Sequence, residues 1–445
     1  MSEAIEALLA CENSKAFAKL FKEQQKEFKD PLSFAAPLAR YLCRRVYQRY
    51  YDDNAPHTFF GLAAAVNALP GFPEDRKWWP IVQQTWHAAN SRRRNPWAGN
   101  GDETSPDAGR DDLFKAYCKA TDSGDFGSAW NSSRHLLSSP EQRDWFRTHS
   151  LKRCLEDTFE DGIKLLFLDQ CWRLAESLGW GDAEGILFPA LHLVTLAPQE
   201  TELGRIARRH APGNHVLAQT KKLADDEYSS LEREFLFAPS LEEGLQVLGS
   251  LTQKGIGWEG CWDFIQLAAA QMVGNSKPGR WSSAVRAFLF AHTARKLTHS
   301  LDESALPRVL ARAAGVVARA SLGSREGDEN RDLESLARSL CPTDTFATLR
   351  TLVSHSDPFA SANAVSAILG MDESKHSELF ESLATLAAKN DGWKGNGYDL
   401  LLVQAAVECY QSSTSEHRRK FLMNTAFLLG RMPKSYQLFG AYGVK

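Results

Sequence analysis

The chain has 445 residues, of which 43% are hydrophobic and 24% charged, with a formal net charge of −3. That balance suits a globular protein large enough for an extended core, and it gives no global attraction to nucleic acid or to an anionic membrane. The opening MSEAIEALLACENSKAF lacks the basic and continuous apolar regions of a signal peptide. The longest nearly apolar stretch, 59–69, is interrupted by Asn67 and is too short to span a bilayer. Cysteines stand singly at 11, 43, 118, 154, 171, 261, 341 and 409 with no CxxC pair, as expected of reduced thiols in a cytoplasmic protein.

Helix formers dominate and alternating β-branched runs are nearly missing, so the expected fold is all-α. Residues 2–29 read as one amphipathic helix with Ile5, Leu8, Leu9, Phe17, Leu20 and Phe21 on one face. Helices over 32–51, 58–69 and 78–91 complete an N-terminal subregion, 1–95. Residues 92–112, rich in Gly, Asp and Pro, read as a polar surface loop or linker. The main body, 113–430, is helix after helix, among them 214–223, 261–273, 282–300, 333–340, 398–410 and 417–429. The tail, 431–445, has little pattern and reads as partly ordered coil. The expectation is a single irregular multi-helix array with no significant sheet.

One phrase recurs. Gly179-Trp180-Gly181, Gly257-Trp258-Glu259-Gly260 and Gly392-Trp393-Lys394-Gly395 each precede an apolar helix. Gly permits a tight turn and the neighbouring indole can pin it to a core, so a repeated tethered turn with buried Trp180, Trp258 and Trp393 is predicted. The spacings of 78 and 135 residues fit no regular solenoid.

The familiar catalytic signatures are missing. Gly274-Asn-Ser-Lys-Pro-Gly279-Arg280 imitates a phosphate loop, with Arg for Lys and no following Ser or Thr. Glu373-x-x-His376 has no second copy to build a di-metal site, and His210 and His215 have no interleaved ligand, so no metal centre is expected. Trp86, Arg92, Arg93, Arg94 and Trp97 offer stacking and charge. Acidic residues follow within 102–112, however, and the wider basic footprint of a nucleic-acid binder is missing.

Histidines carry the functional expectation. His192 and His292 lie in apolar helical segments, His299 falls two turns after His292, and His57 opens a third segment. A buried imidazole is costly unless bonded or used, and histidine is the natural acid or base near neutral pH. His192 and His292 are therefore the candidate catalytic residues, with His57, His299, Trp258, Trp262 and Phe288 lining a pocket for a small hydrophobic molecule. The competing expectation is a non-catalytic helical scaffold that binds a protein partner through its outer helix faces, its histidines bonded within the core.

Three segments resemble the questin oxidase-like family of all-α proteins: Asn54-Ala-Pro-His57-Thr-Phe-Phe-Gly-Leu-Ala-Ala64, Ile186-Leu-Phe-Pro189-Ala-Leu-His192-Leu193 and Phe290-Ala-His292-Thr-Ala294. Two features depart from the family: Phe188 precedes Pro189 where His would be expected, and Thr-Ala replaces Ala-x-Thr after His292. The resemblance implies an oxidoreductase of the oxygenase kind acting on an aromatic or hydrophobic organic substrate. It also allows a reduced nicotinamide as electron donor, for which no binding motif stands in the sequence.

Overall fold

The computed structural model describes residues 2–43, 55–90, 109–324, 333, 346–390 and 397–443. They form an all-α array of 22 α-helices joined by short turns and 3₁₀ segments, with no strand among the described residues. Lys221 and Ile256 form an isolated parallel bridge. No described helix is long and apolar enough to cross a membrane.

The helix Trp258–Asn275 occupies the centre, and every residue from Cys261 to Asn275 is buried. It packs on Asp225–Leu236, Trp281–Leu297, Leu306–Ser324 and Arg419–Arg431. A helix enclosed on all sides has no solvent face to keep, so apolar residues occupy every side of it and its polar residues, Asp263, Gln266, Gln271 and Asn275, are buried as well. At its end a Cβ on Gly274 would stand 2.0 Å from Asn424 Oδ1, so only Gly lets the two helices cross this closely. A second group surrounds Ile163–Ser177, which touches Ala55–Ala68, Ala183–Leu196 and Trp281–Leu297. One continuous apolar cluster runs from Ile5 to Phe439.

Several predicted elements are corrected. Residues 2–29 form two helices, Ser2–Leu9 and Ser14–Gln25, because Asn13 turns extended and accepts the Ala16 N–H at 2.9 Å. Residues 214–223 give only the 3₁₀ turn Asn214–Leu217, since the following chain extends toward Ile256. The tail holds the helix Gln437–Tyr442, whose Leu438 and Phe439 are fully buried; docking on Ser14–Gln25 supplies the order its short pattern does not. Of the predicted loop 92–112, residues 92–108 lie outside the described residues, and a helix begins at Arg110. Most of the predicted helix 333–340 and all of the Trp393 phrase also lie outside them.

The two described Gly-Trp phrases are not one unit. Gly179 and Trp180 are both left-handed, at φ +80° and +67°, and close the end of Ile163–Ser177. Trp180 is half-buried there, 6.0 Å from Trp172, with the Arg143 guanidinium 4.6 Å above its ring. Trp258 is instead the first residue of a helix, half-buried and edge-on to Trp262 at 5.7 Å. Before it, the Gly257 backbone donates to Lys221 O at 3.0 Å, and a Cβ on Gly257 would stand 1.9 Å from Gln219 O.

Candidate functional site

His192 is 3% exposed, on the helix Ala183–Leu196. Its ring is edge-on to Phe126 at 4.9 Å and stacks at 6.2 Å on Phe188. Burial alone pulls its pKa down from 6.5 to about 4, so the ring is neutral at physiological pH.

His292 sits in a polar relay. Its Nε2 lies 2.9 Å from Glu408 Oε2 and its Nδ1 3.4 Å from Cys409 Sγ. Those partners assign the neutral tautomer in which Nε2–H donates to the carboxylate and the Cys409 thiol donates to Nδ1. Glu408 also accepts from Lys296 Nζ at 2.7 Å and from Gln404 at 3.0 Å. Burial pushes the Glu408 carboxyl up, but His292 and Lys296 outweigh it and hold the group far below the usual carboxylate range. Burial pushes the Cys409 thiol strongly up, so it is no ready nucleophile. The cavity at His292 has a volume of about 20 Å³, bounded by Leu166, Gln170, Arg173, Leu289 and Gln404 among others. It has room for one water molecule.

The remaining predicted lining residues lie elsewhere. His192 does not line the cavity at His292, and neither do His57 and Phe288. Phe288 faces Phe421 at 6.2 Å. His299 is exposed on a 3₁₀ turn: the helix ends at Leu297, so the stripe does not reach it. His57 is half-buried in the first turn of Ala55–Ala68. Trp262 is fully enclosed and its indole N–H has no acceptor among the described residues.

A roomier site lies where Tyr398–Ser412 gives way to Arg419–Arg431. The connecting strap 413–418 is held by its own hydroxyls: Ser413 Oγ accepts the Ser415 N–H and Ser415 Oγ the His417 N–H, both at 3.2 Å. Such local bonds compete with the helix and explain its interruption. Thr414 N–H donates to Asp263 Oδ2 at 3.1 Å, tying the strap to the central helix. Asp263 is 5% exposed and accepts from Arg295 Nη1 at 2.9 Å. Burial pulls the Arg295 guanidinium down, yet Asp263 and Glu259 outweigh it and keep its pKa above the ordinary value.

The strap separates two concavities that share Thr414, Ser415, Glu416 and His417. The smaller, about 290 Å³, has apolar walls from Leu223, Tyr228, Phe264 and Leu267 and polar groups from Asp263 and His417. The larger, about 770 Å³ and more open, takes in His376, Tyr410 and Arg418; Tyr410 OH lies 3.4 Å from His376 Nδ1, and Arg418 lies over the Tyr410 ring at 4.9 Å.

In the smaller concavity His417 stacks on Tyr228, centroids 4.3 Å apart and planes 25° from parallel. Tyr228 OH donates to Glu232 Oε1 at 2.5 Å, and Lys420 Nζ donates to Glu232 Oε2 at 3.0 Å from below. Glu232 is 1% and Lys420 2% exposed. A buried pair of this kind fixes ring orientation more than it stabilises the fold. The arrangement presents one imidazole, held flat against a rigid phenol, to a space of small-molecule size.

Sequence reasoning passed over Tyr228, Asp263 and His417. Asp263 had a signal, a lone carboxylate among Cys261, Trp262, Phe264 and Ile265. His417 had none, because it sits in the polar run Ser-Thr-Ser-Glu-His-Arg-Arg-Lys that reads as solvated. No protein-family model, curated protein or solved structure matches this chain.

Proposed function

We propose that this protein acts on a small organic molecule with an apolar or aromatic body, bound in the 290 Å³ concavity under the 413–418 strap, with His417 as the proton-transfer group. The supporting observation is the stack of His417 on Tyr228, anchored by the buried Glu232–Lys420 pair and opening onto that space. Phe264 and Leu267 suit a flat apolar body, while Asp263 and the strap hydroxyls suit a polar edge. The resemblance to the questin oxidase-like family adds oxygenation as the reaction class, with dioxygen as the oxidant, and allows a reduced nicotinamide as the electron donor. The three segments that carry it, around His57, His192 and His292, lie outside this concavity.

Thermal-shift screening of hydroxylated polycyclic aromatic compounds, with and without reduced nicotinamide, tests the proposal. A stabilising compound should lose its effect in Thr414→Trp, which fills the mouth of the concavity from an exposed position. Turnover of that compound should fall by roughly 10²–10⁴-fold in His417→Gln while binding persists. A compound bound equally well by Thr414→Trp would place the ligand elsewhere, and failure of the whole class to bind would leave the helical scaffold as the reading.

A further inference from the structure

Among the described residues Lys164, Lys420 and Arg312 are the buried cations, and the first two have carboxylate partners. Lys164 pairs with Asp157 at 2.6 Å and Lys420 with Glu232 at 3.0 Å. Arg312, on the helix Leu306–Ser324, is just 7% exposed and has no carboxylate within ion-pair distance among the described residues. Of its five N–H donors, one reaches Leu155 O at 3.1 Å, and its Nε–H is buried with no acceptor.

The surroundings add to the positive charge. The Arg312 guanidinium lies against the Glu202–Arg209 helix at Gly204, where a Cβ would stand 3.1 Å from Nε and 3.2 Å from Nη2. Arg208 is one turn beyond Gly204 on that helix, and its own Nε–H reaches back to Gly204 O at 3.4 Å. Arg308 is one turn before Arg312 on the other helix. Neither has a carboxylate partner among the described residues, and both are exposed. Burial depresses the Arg312 pKa; the charge of exposed Glu156 opposes it, and those of Arg208 and Arg308 lower it further. Two further arginines thus flank the crossing at which the Arg312 guanidinium meets Gly204. A buried cation without a counter-charge is costly, and a protein retains one most readily where an anion joins it.

We propose that Arg208, Arg308 and Arg312 form a binding site for a phosphate or sulfate group, free in solution or carried by a small ester. Planar guanidinium forks match tetrahedral oxyanions through paired N–H···O bonds, which ammonium groups would not do as well. The site is separate from the 413–418 strap and stands or falls independently of it.

Titration calorimetry on the full chain at fixed ionic strength tests it, using inorganic phosphate, sulfate and glycerol 3-phosphate as probes. Saturable one-site binding is expected, weakened roughly tenfold or more in Arg208→Gln/Arg308→Gln, whose exposed positions leave the fold intact. Tighter binding of glycerol 3-phosphate than of inorganic phosphate would identify an ester as the natural ligand, and the reverse order the free ion. Arg312→Met should abolish binding while keeping the melting temperature in chloride at or above that of the unaltered protein, because it removes an unpaired buried charge. Lack of saturable binding by every probe, or equal affinity in the double variant, overturns the proposal.

Discussion

His192→Leu separates a buried structural imidazole from a working acid or base. In the folded chain the ring takes up a proton only near pH 4, whereas in the unfolded chain it does so near 6.5. Between those values the unfolded state binds more protons, so the native state loses stability as the solution is acidified. The contribution is fully present above about pH 6.5, declines through the window and is exhausted below about pH 4. At about 1.4 kcal/mol per pH unit, the interval from 6.5 to about 4 corresponds to about 3 kcal/mol. His192 is 3% exposed, so solvent screening takes little from that figure. Leu fits between Phe126 and Phe188 and carries no proton. Urea unfolding of both proteins from about pH 8 to about pH 4.5 should show the unaltered chain losing about 2–3 kcal/mol more than the variant. Parallel stability curves across that range would refute the reasoning, because they would mean that the ring is hydrated in the native state.

Lys420→Met strands Glu232 without its cation and should cost about 3–5 kcal/mol, whereas Lys420→Met/Glu232→Leu should recover most of it; denaturant midpoints of the three chains decide. Gly162→Ala meets both a φ of +84° and the Phe290 ring 2.0 Å from the new Cβ, so a loss of about 2–4 kcal/mol in the same assay is expected. An unchanged midpoint would show that Phe290 swings away freely. Trp262→Ala should cost about 3–5 kcal/mol, and Trp258→Ala clearly less, since the first indole is fully enclosed and the second half-exposed at a helix start. Equal losses would contradict that placement.

The helical class was legible because 3.6-residue periodicity and composition are local properties. Ala55–Ala68, Trp78–Ala89, Trp258–Asn275 and Tyr398–Ser412 lie within a few residues of their predicted spans. Misreadings arose where a side chain or a distant partner settles the backbone. Asn13 breaks a helix through its own cap, and Gln437–Tyr442 is ordered by residues at the other end of the chain. The Gly-Trp phrase is the same in letters and different in structure, since Gly permits several conformations and the neighbours choose among them. The stripe through Phe288, Leu289 and His292 was readable; that Leu289 and His292 meet space for a single water was not, because volume belongs to packing. His417 gains significance only through Tyr228, which is remote in sequence.

The docking of Gln437–Tyr442 on Ser14–Gln25 joins residues 417 positions apart, as in the bond from Tyr442 OH to Gln25 Oε1. Drawn from an open chain, a loop of that size loses about 5 kcal/mol of entropy on closure. Phe439 against Trp79 and Tyr442 against Phe21 are too few to offset that loss by themselves. The contact therefore forms after the central helices have already shortened the path between its two sides. It works as a clasp: under tension applied to residues 14 and 442 it carries the load first, and it should open while Trp258–Asn275 and its neighbours are still folded.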